Sequence, residues 1–215
     1  GRCLVMITDD ADRTMNTFLG ITTDLSTQEV SEADIKDSEY VYLEGYLVTS
    51  DSAFEAMKLT KKIAEENGVN TSITLSDPSI VGAFRDRFSE VIGASVDLLF
   101  CNEEEALAYT QTNDLMEARE ALKKDARRFV ITQGKNGAMI FDGDTFIDIE
   151  PYKVNAVDTN GAGDMYAGAF LYGLTHGFGY AGSGKLASLA SSKVVSQYGP
   201  RLKWHEVQEI LNHLK

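Results

Sequence analysis

The chain has 215 residues, enough for one domain with a sizeable core or for two small ones. Its 43% hydrophobic and 25% charged residues are ordinary for a globular protein, and its longest apolar runs, such as residues 96–101, are too short to span a membrane. A net charge of −13 argues against a nucleic-acid partner, which needs a basic footprint, yet allows an anionic small ligand held by local N–H groups and a divalent cation.

From the N-terminus, residues 3–8 and 14–20 read as a hairpin around the polar turn Asp9-Asp10-Ala11-Asp12-Arg13. The first eight residues lack the basic and then apolar pattern of a signal peptide. Cys3 and Cys101 both sit in apolar, strand-like runs and read as small buried hydrophobes, which points to a reducing cytoplasm. Ser31-Glu32-Ala33-Asp34 has capping-box character and predicts a short helix. Residues 40–43 are the next strand. A helix opens at Ser52, and its small and apolar positions Ala53, Ala56, Met57, Thr60, Ile63 and Ala64 keep helical spacing until Gly68 stops it.

Strands then alternate with helices. Residues 71–75, 96–101 and 129–132 read as strands, and residues 80–91, 103–109 and 115–124 as helices. Continuous apolar strands alternating with helices imply parallel pairing in an α/β layered domain. Residues 138–141 and 146–149 form an antiparallel hairpin around Asp142-Gly143-Asp144, and the remainder is helical over 162–174, 185–197 and 204–214. Asn102, Gln133-Gly134 and Asp77-Pro78 follow strand ends, where open α/β sheets bind ligands.

Between the hairpin and the last helices lies Asp158-Thr159-Asn160-Gly161-Ala162-Gly163-Asp164. Its glycines permit a sharp bend and leave backbone N–H groups uncovered at a helix start, where unpaired donors and the macrodipole favour an anion. Asp164 among those donors would stand beside a docked phosphate, an arrangement suited to phosphoryl transfer to an alcohol. The plainer alternative is an ordinary helix start capped by Asp158 or Thr159. Two other glycine patterns lack the required context. The G-x-G-x-x-G string at 177–182 follows a helical run rather than a strand and reads as a flexible helix-helix connection. The near P-loop at 179–185 has Leu186 where a Ser or Thr should meet magnesium.

The D-T-N-G-A-G-D run resembles the D-T-x-G-A-G-D signature of the pfkB (ribokinase-like) carbohydrate and nucleoside kinases. Asn102-Glu103-Glu104-Glu105 is similar to that family's N-x-x-E motif, and Thr132-Gln133-Gly134 with Gly137 to its T-x-G-x-x-G nucleotide segment. The resemblance runs along essentially the whole chain. It implies a ribokinase-like three-layer α/β/α fold with a mostly parallel central sheet, residues 1–215 forming the larger C-terminal part and residues 1–20 a lid-adjoining hairpin. The family's further N-terminal portion, with a substrate-binding aspartate and part of the lid, is expected to be missing.

By the same resemblance, Asp164 would be the catalytic base, and Gly161, Ala162 and Gly163 the anion hole. Asn102 and Glu105 would organise Mg2+ and phosphates, partly through water. Thr132, Gly134 and Gly137 would line the ATP path, with Ala190 and Val194 near the adenine. Arg13 and Asp158 are expected on the acceptor side. Asn160 and the run Arg13-Thr14-Met15-Asn16 look more like adenosine-kinase-type members, so the expected acceptor is a nucleoside, with a sugar as the alternative. A catalytically inactive nucleotide-binding module is a further alternative. A monovalent cation stays open as an additional cofactor, and a monomer or homodimer without membrane or nucleic-acid partners is expected.

Overall fold

The computed structural model describes residues 1–213. The chain opens with an antiparallel ribbon of β1 (Arg2–Ile7) and β2 (Arg13–Phe18), paired from Arg2 opposite Phe18 to Ile7 opposite Arg13. Arg13 therefore belongs to the strand rather than to the turn. Cys3, expected to be buried, is exposed on this ribbon because two isolated strands have no third layer to cover both faces. Next come α1 (Glu32–Lys36), β3 (Tyr40–Glu44), α2 (Asp51–Glu66), β4 (Asn70–Thr74), α3 (Pro78–Ile92) and β5 (Leu98–Asn102). They are followed by α4 (Glu103–Thr110), α5 (Leu115–Leu122), β6 (Phe129–Thr132), β7 (Ala138–Phe141) and β8 (Phe146–Ile149). The chain ends with α6 (Ala162–Thr175), α7 (Gly179–Val195) and α8 (Trp204–His213); Leu214, expected in the last helix, lies outside the described residues.

The structure divides into two compact units, the first made of Leu19–Ile131 with Gly1 and Phe141–Thr145. Within it β3, β4 and β5 pair in parallel, with Tyr40 opposite Asn70 and Ser72 opposite Leu98. β6 continues in the same sense beside β5, preceded by a parallel bridge between Val96 and Ala126. Leu98 and Leu99 point to opposite faces of the sheet and both are fully buried, so both faces are covered. α2 buries Ala53, Ala56, Met57 and Ala64 of the stripe its sequence spacing predicts, with Thr60 and Ile63 half-buried at its margin. At α1 only half of the expected capping box forms: Ser31 accepts the Asp34 N–H, and Asp34 stands at the third position where a Glu or Gln would return the bond.

The second unit combines Arg2–Phe18 with Thr132–Ile140 and everything from Phe146 onward. α7 begins at Gly179, six residues before the expected Lys185, so three residues and not a flexible glycine string connect it to α6. The early start has a packing cause. A Cβ on Gly173 of α6 would lie 2.6 Å from Ser183 Oγ and 2.9 Å from Ser183 Cα, so the two helix backbones approach as only glycine allows. Gly184 of α7 lies under Ile140 and Ile149. α8 closes the far side by packing Ile210 against Leu186, Leu189 and Ala190.

Candidate active site

The loop into α6 is organised from beneath by Asp158. Its side chain is 1% exposed; Oδ1 accepts the Asn160 N–H at 2.9 Å and Oδ2 accepts the Gly199 N–H at 2.8 Å. Two charge-assisted bonds to backbone donors satisfy a carboxylate that would otherwise be costly to bury. The ordinary capped start is therefore not what forms. Gly161 occupies the N-cap position at φ 75°, with no side chain closing the helix. α3, α4 and α5 differ, because Asp77, Asn102 and Asp114 each accept first-turn N–H groups. At α6 the Ala162 N–H turns back to the Thr159 carbonyl at 3.3 Å, and Met165 begins the helical ladder on Gly161. Gly163 and Asp164 are exposed in the first turn, where backbone donors have no intrahelical acceptor. Nothing lies within 4 Å of where a Gly163 Cβ would stand. An open, uncapped N-terminus carrying a carboxylate can hold a phosphoryl group and accept a proton beside it.

Thr159 joins this loop to the β1–β2 turn. Its Oγ1 donates to the Ala11 carbonyl at 3.0 Å and accepts from Arg13 Nη1 at 3.2 Å, while its N–H also reaches the Ala11 carbonyl. Ala11 is buried and holds φ 66°, an uncommon conformation for a residue with a Cβ. Arg13 is exposed and so keeps donors for a ligand.

The segment after β6 folds into a tight turn in which the Gln133 N–H donates to the Gly137 carbonyl at 2.8 Å. Its two glycines serve different ends. A Cβ on Gly137 would collide with the Ile149 carbonyl, so that position is required by packing on β8. Gly134 has open space around its Cα, as a backbone approached by a ligand needs. Ala190 and Val194, expected beside the adenine, are instead core residues. They are 3% and 0% exposed, and Ala190 is enclosed by the α8 cluster, which leaves neither with surface for a nucleotide.

In the first unit, Asn102 and Glu105 form a reciprocal capping box on α4. Asn102 Oδ1 accepts the Glu105 N–H at 2.8 Å; Glu105 accepts the Asn102 N–H at 3.0 Å and its Nδ2 at 2.8 Å. Among the described residues no group of three or more His, Cys, Asp or Glu side chains is gathered for a metal. One fixed carboxylate fits Mg2+ all the same, because that ion keeps several waters and takes its remaining ligands from substrate phosphates.

Sequence reasoning missed the residues that hold the loop from a distance. Ser191 Oγ donates to the Ala162 carbonyl at 3.0 Å, and the Val157 N–H donates to the Val195 carbonyl at 2.7 Å. Gly199-Pro200 is legible as a turn dipeptide, but no local signal ties it to Asp158.

The sequence profile of the pfkB family carbohydrate kinases matches residues 1–206. An adenosine kinase from Dictyostelium discoideum is 30% identical over 218 residues, covering 93% of this chain and 63% of that protein. Among solved structures, an adenosine kinase from Sinorhizobium meliloti superposes with a TM-score of 0.94 at 33% identity. A probable sugar kinase from Rhizobium etli CFN 42 does so with a TM-score of 0.94 at 34% identity. Both matches cover 99% of this chain and 65% of the other. The chain thus spans a little under two thirds of the length of these relatives.

Proposed function

Since this chain belongs to the pfkB carbohydrate kinase family, we propose that the protein is an ATP-dependent phosphotransferase acting on a primary hydroxyl of a nucleoside, adenosine-like in class. The observation that carries this reading is the uncapped start of α6 with Asp164 in its first turn. Asp164 accepts the proton of the acceptor hydroxyl as the oxygen bonds to the γ-phosphorus. The bond from that phosphorus to the β–γ bridging oxygen breaks, and ADP leaves. A carboxylate, a weak base towards an alcohol, serves because the transition state is loose and proton transfer comes late, so placement outweighs basicity. The N–H groups of Gly161 and Gly163 hold charge on the transferring oxygens, preorganised and without reorientation during reaction, while that of Ala162 turns back to the Thr159 carbonyl and keeps the bend in place. Arg13, exposed beside Thr159, contributes a guanidinium on the acceptor side. Thr132 and Gly134 line the nucleotide path, while Gly137 shapes that turn from behind. Asn102 and Glu105 are the residues that would hold Mg2+ through water, and the ion would supply neutralisation of phosphate charge. Asp158 is read as the organiser of the loop rather than as an acceptor contact, since its carboxylate is buried and engaged by backbone.

A sugar acceptor is the second reading, supported by the likeness to the Rhizobium etli probable sugar kinase. An ADP-release assay on the full-length protein across adenosine, other nucleosides, fructose and ribose separates the two. In the same assay Asp164→Asn is expected to lower turnover by about 10²–10⁴-fold. Calorimetry with Mg·ATP should show nucleotide binding retained. Wild-type turnover in that variant rules out Asp164 as the base.

A further inference from the structure

The segment between α7 and α8 does more than connect two helices. Residues 198–201 pass along the loop at the start of α6 and touch it at two points. The Gly199 N–H donates to Asp158 Oδ2 at 2.8 Å. Pro200 packs against the N-cap: a Cβ built on Gly161 would lie 2.5 Å from the Pro200 carbonyl oxygen, 2.6 Å from its Cβ and 2.8 Å from its Cα. On either side the segment exposes large aromatics, with Tyr198 at 77% and Trp204 at 72% exposure. Burial of those side chains therefore does not explain the path of the chain. It follows its contacts with Asp158 and Gly161, together with Leu202 packed in the α8 cluster.

Asp158 is the common anchor. One carboxylate oxygen closes the turn of the loop at Asn160, and the other holds the segment that carries Pro200. Proline has a fixed φ and no N–H, so it sets a rigid surface that makes no competing hydrogen bond. Gly161, left without a side chain at φ 75°, has a wide range of conformations to lose. Pro200 against one side of Gly161, and the bond from Ser191 to the neighbouring Ala162 carbonyl, restrict that range.

We propose that Pro200 is a positioning residue for phosphoryl transfer: braced through Gly199 on Asp158, it fixes Gly161 and so aims the first-turn N–H groups of α6 at the charge that develops on the transferred group. The inference rests on the phosphotransferase reading above. Donors of this kind act when they stand within hydrogen-bond distance of the position reached in the transition state, and displacement of about 1 Å costs on the order of 10²-fold. Loss of the brace therefore weakens transition-state binding more than ground-state binding.

The test uses the full-length protein and steady-state kinetics with the acceptor that the ADP-release assay identifies. Pro200→Ala keeps the carbonyl oxygen, Cα and Cβ that meet Gly161 and removes only the ring that fixes their φ. By freeing that backbone it is expected to lower kcat about tenfold or more, while KM for ATP and for the acceptor stays within about threefold. Tyr198→Ala, on the same segment but exposed, is expected to leave both unchanged. Asp158→Asn keeps the side-chain shape while turning one acceptor into a donor that faces a backbone N–H. It should give the same kcat-weighted loss, and the double variant Asp158→Asn/Pro200→Ala should lose less than the product of the two, because the residues act as one unit. Pro200→Ala with kcat within about twofold of wild type overturns the proposal, as do multiplicative losses in the double variant. If Pro200→Ala does not fold, the kcat-to-KM split of Asp158→Asn decides the matter by itself. A wild type without turnover on any acceptor refutes the phosphotransferase reading, and the positioning role falls with it; an active wild type with unaffected variants refutes the positioning role alone.

Discussion

Gly161 and Gly163 stand two residues apart and answer to different constraints: Gly161 is needed for a left-handed backbone and the contact with Pro200, and Gly163 faces open space. The same division separates Gly137 from Gly134. Asp125 illustrates a different single-residue constraint. Burial raises its carboxyl above the usual range, only partly offset by the charges of Arg85 and Lys124 and by a hydrogen bond from Tyr109. The folded state then binds this proton more tightly than the unfolded chain does. The resulting penalty is absent at low pH, where both states are protonated, and grows as pH rises from the ordinary carboxylate value through the raised one. Asp125→Asn removes it, so thermal melts should show the variant gaining on wild type as pH rises from the ordinary carboxylate range towards neutrality. An offset that is the same at every pH would falsify this account. Local geometry was legible in the sequence where its cause lies within a few positions. The seven-residue motif, the turn at 132–137 and the Asn102/Glu105 spacing each carry their geometry within a few positions. Asp158 to Gly199 and Thr159 to Ala11 are contacts across long stretches of chain, with no periodicity or turn signal to announce them.

At the scale of elements, hydrophobic period placed the strands and most helices to within a few residues, because β4, β5 and α2 bury what their patterns say they should. The start of α7 was hidden for a physical reason. Glycine is among the weakest helix formers, so a run containing Gly177, Gly179, Gly182 and Gly184 reads as a break. Close packing outweighs that propensity, with Ser183 against Gly173 of α6 and Gly184 under Ile140 and Ile149. Gly173→Ala puts a methyl group against the Ser183 backbone, which cannot yield as a flexible side-chain tip can. A destabilisation of about 1–3 kcal/mol is expected, visible as a lower midpoint in urea with an unchanged slope. A midpoint equal to wild type would show that the two helices have slack to separate.

For the whole molecule, the two cysteines report on burial independently of any activity. Cys101 lies in the interior of the first unit, where burial pushes its thiol well up, with a smaller contribution from the Glu105 charge. Cys3 is exposed on the β1–β2 ribbon. The thiolate is the reactive species, so at neutral pH a maleimide should label Cys3 promptly and Cys101 only after denaturant is added. Rapid labelling of both thiols in the native protein contradicts the burial described for β5. Among the described residues no helix is long and apolar enough to cross a membrane. The link between Thr159 and the turn at Ala11 and Arg13 has a consequence for how the chain is made. The first unit is largely one continuous stretch and can gather its strands as it leaves the ribosome. The second unit draws its ribbon from before that stretch and its helices from after it, and the two meet across 148 positions. Its completion waits on the synthesis of α6 and α7 and on the closure of a very long loop, so the start of α6 is fixed later than the parallel strands of the first unit.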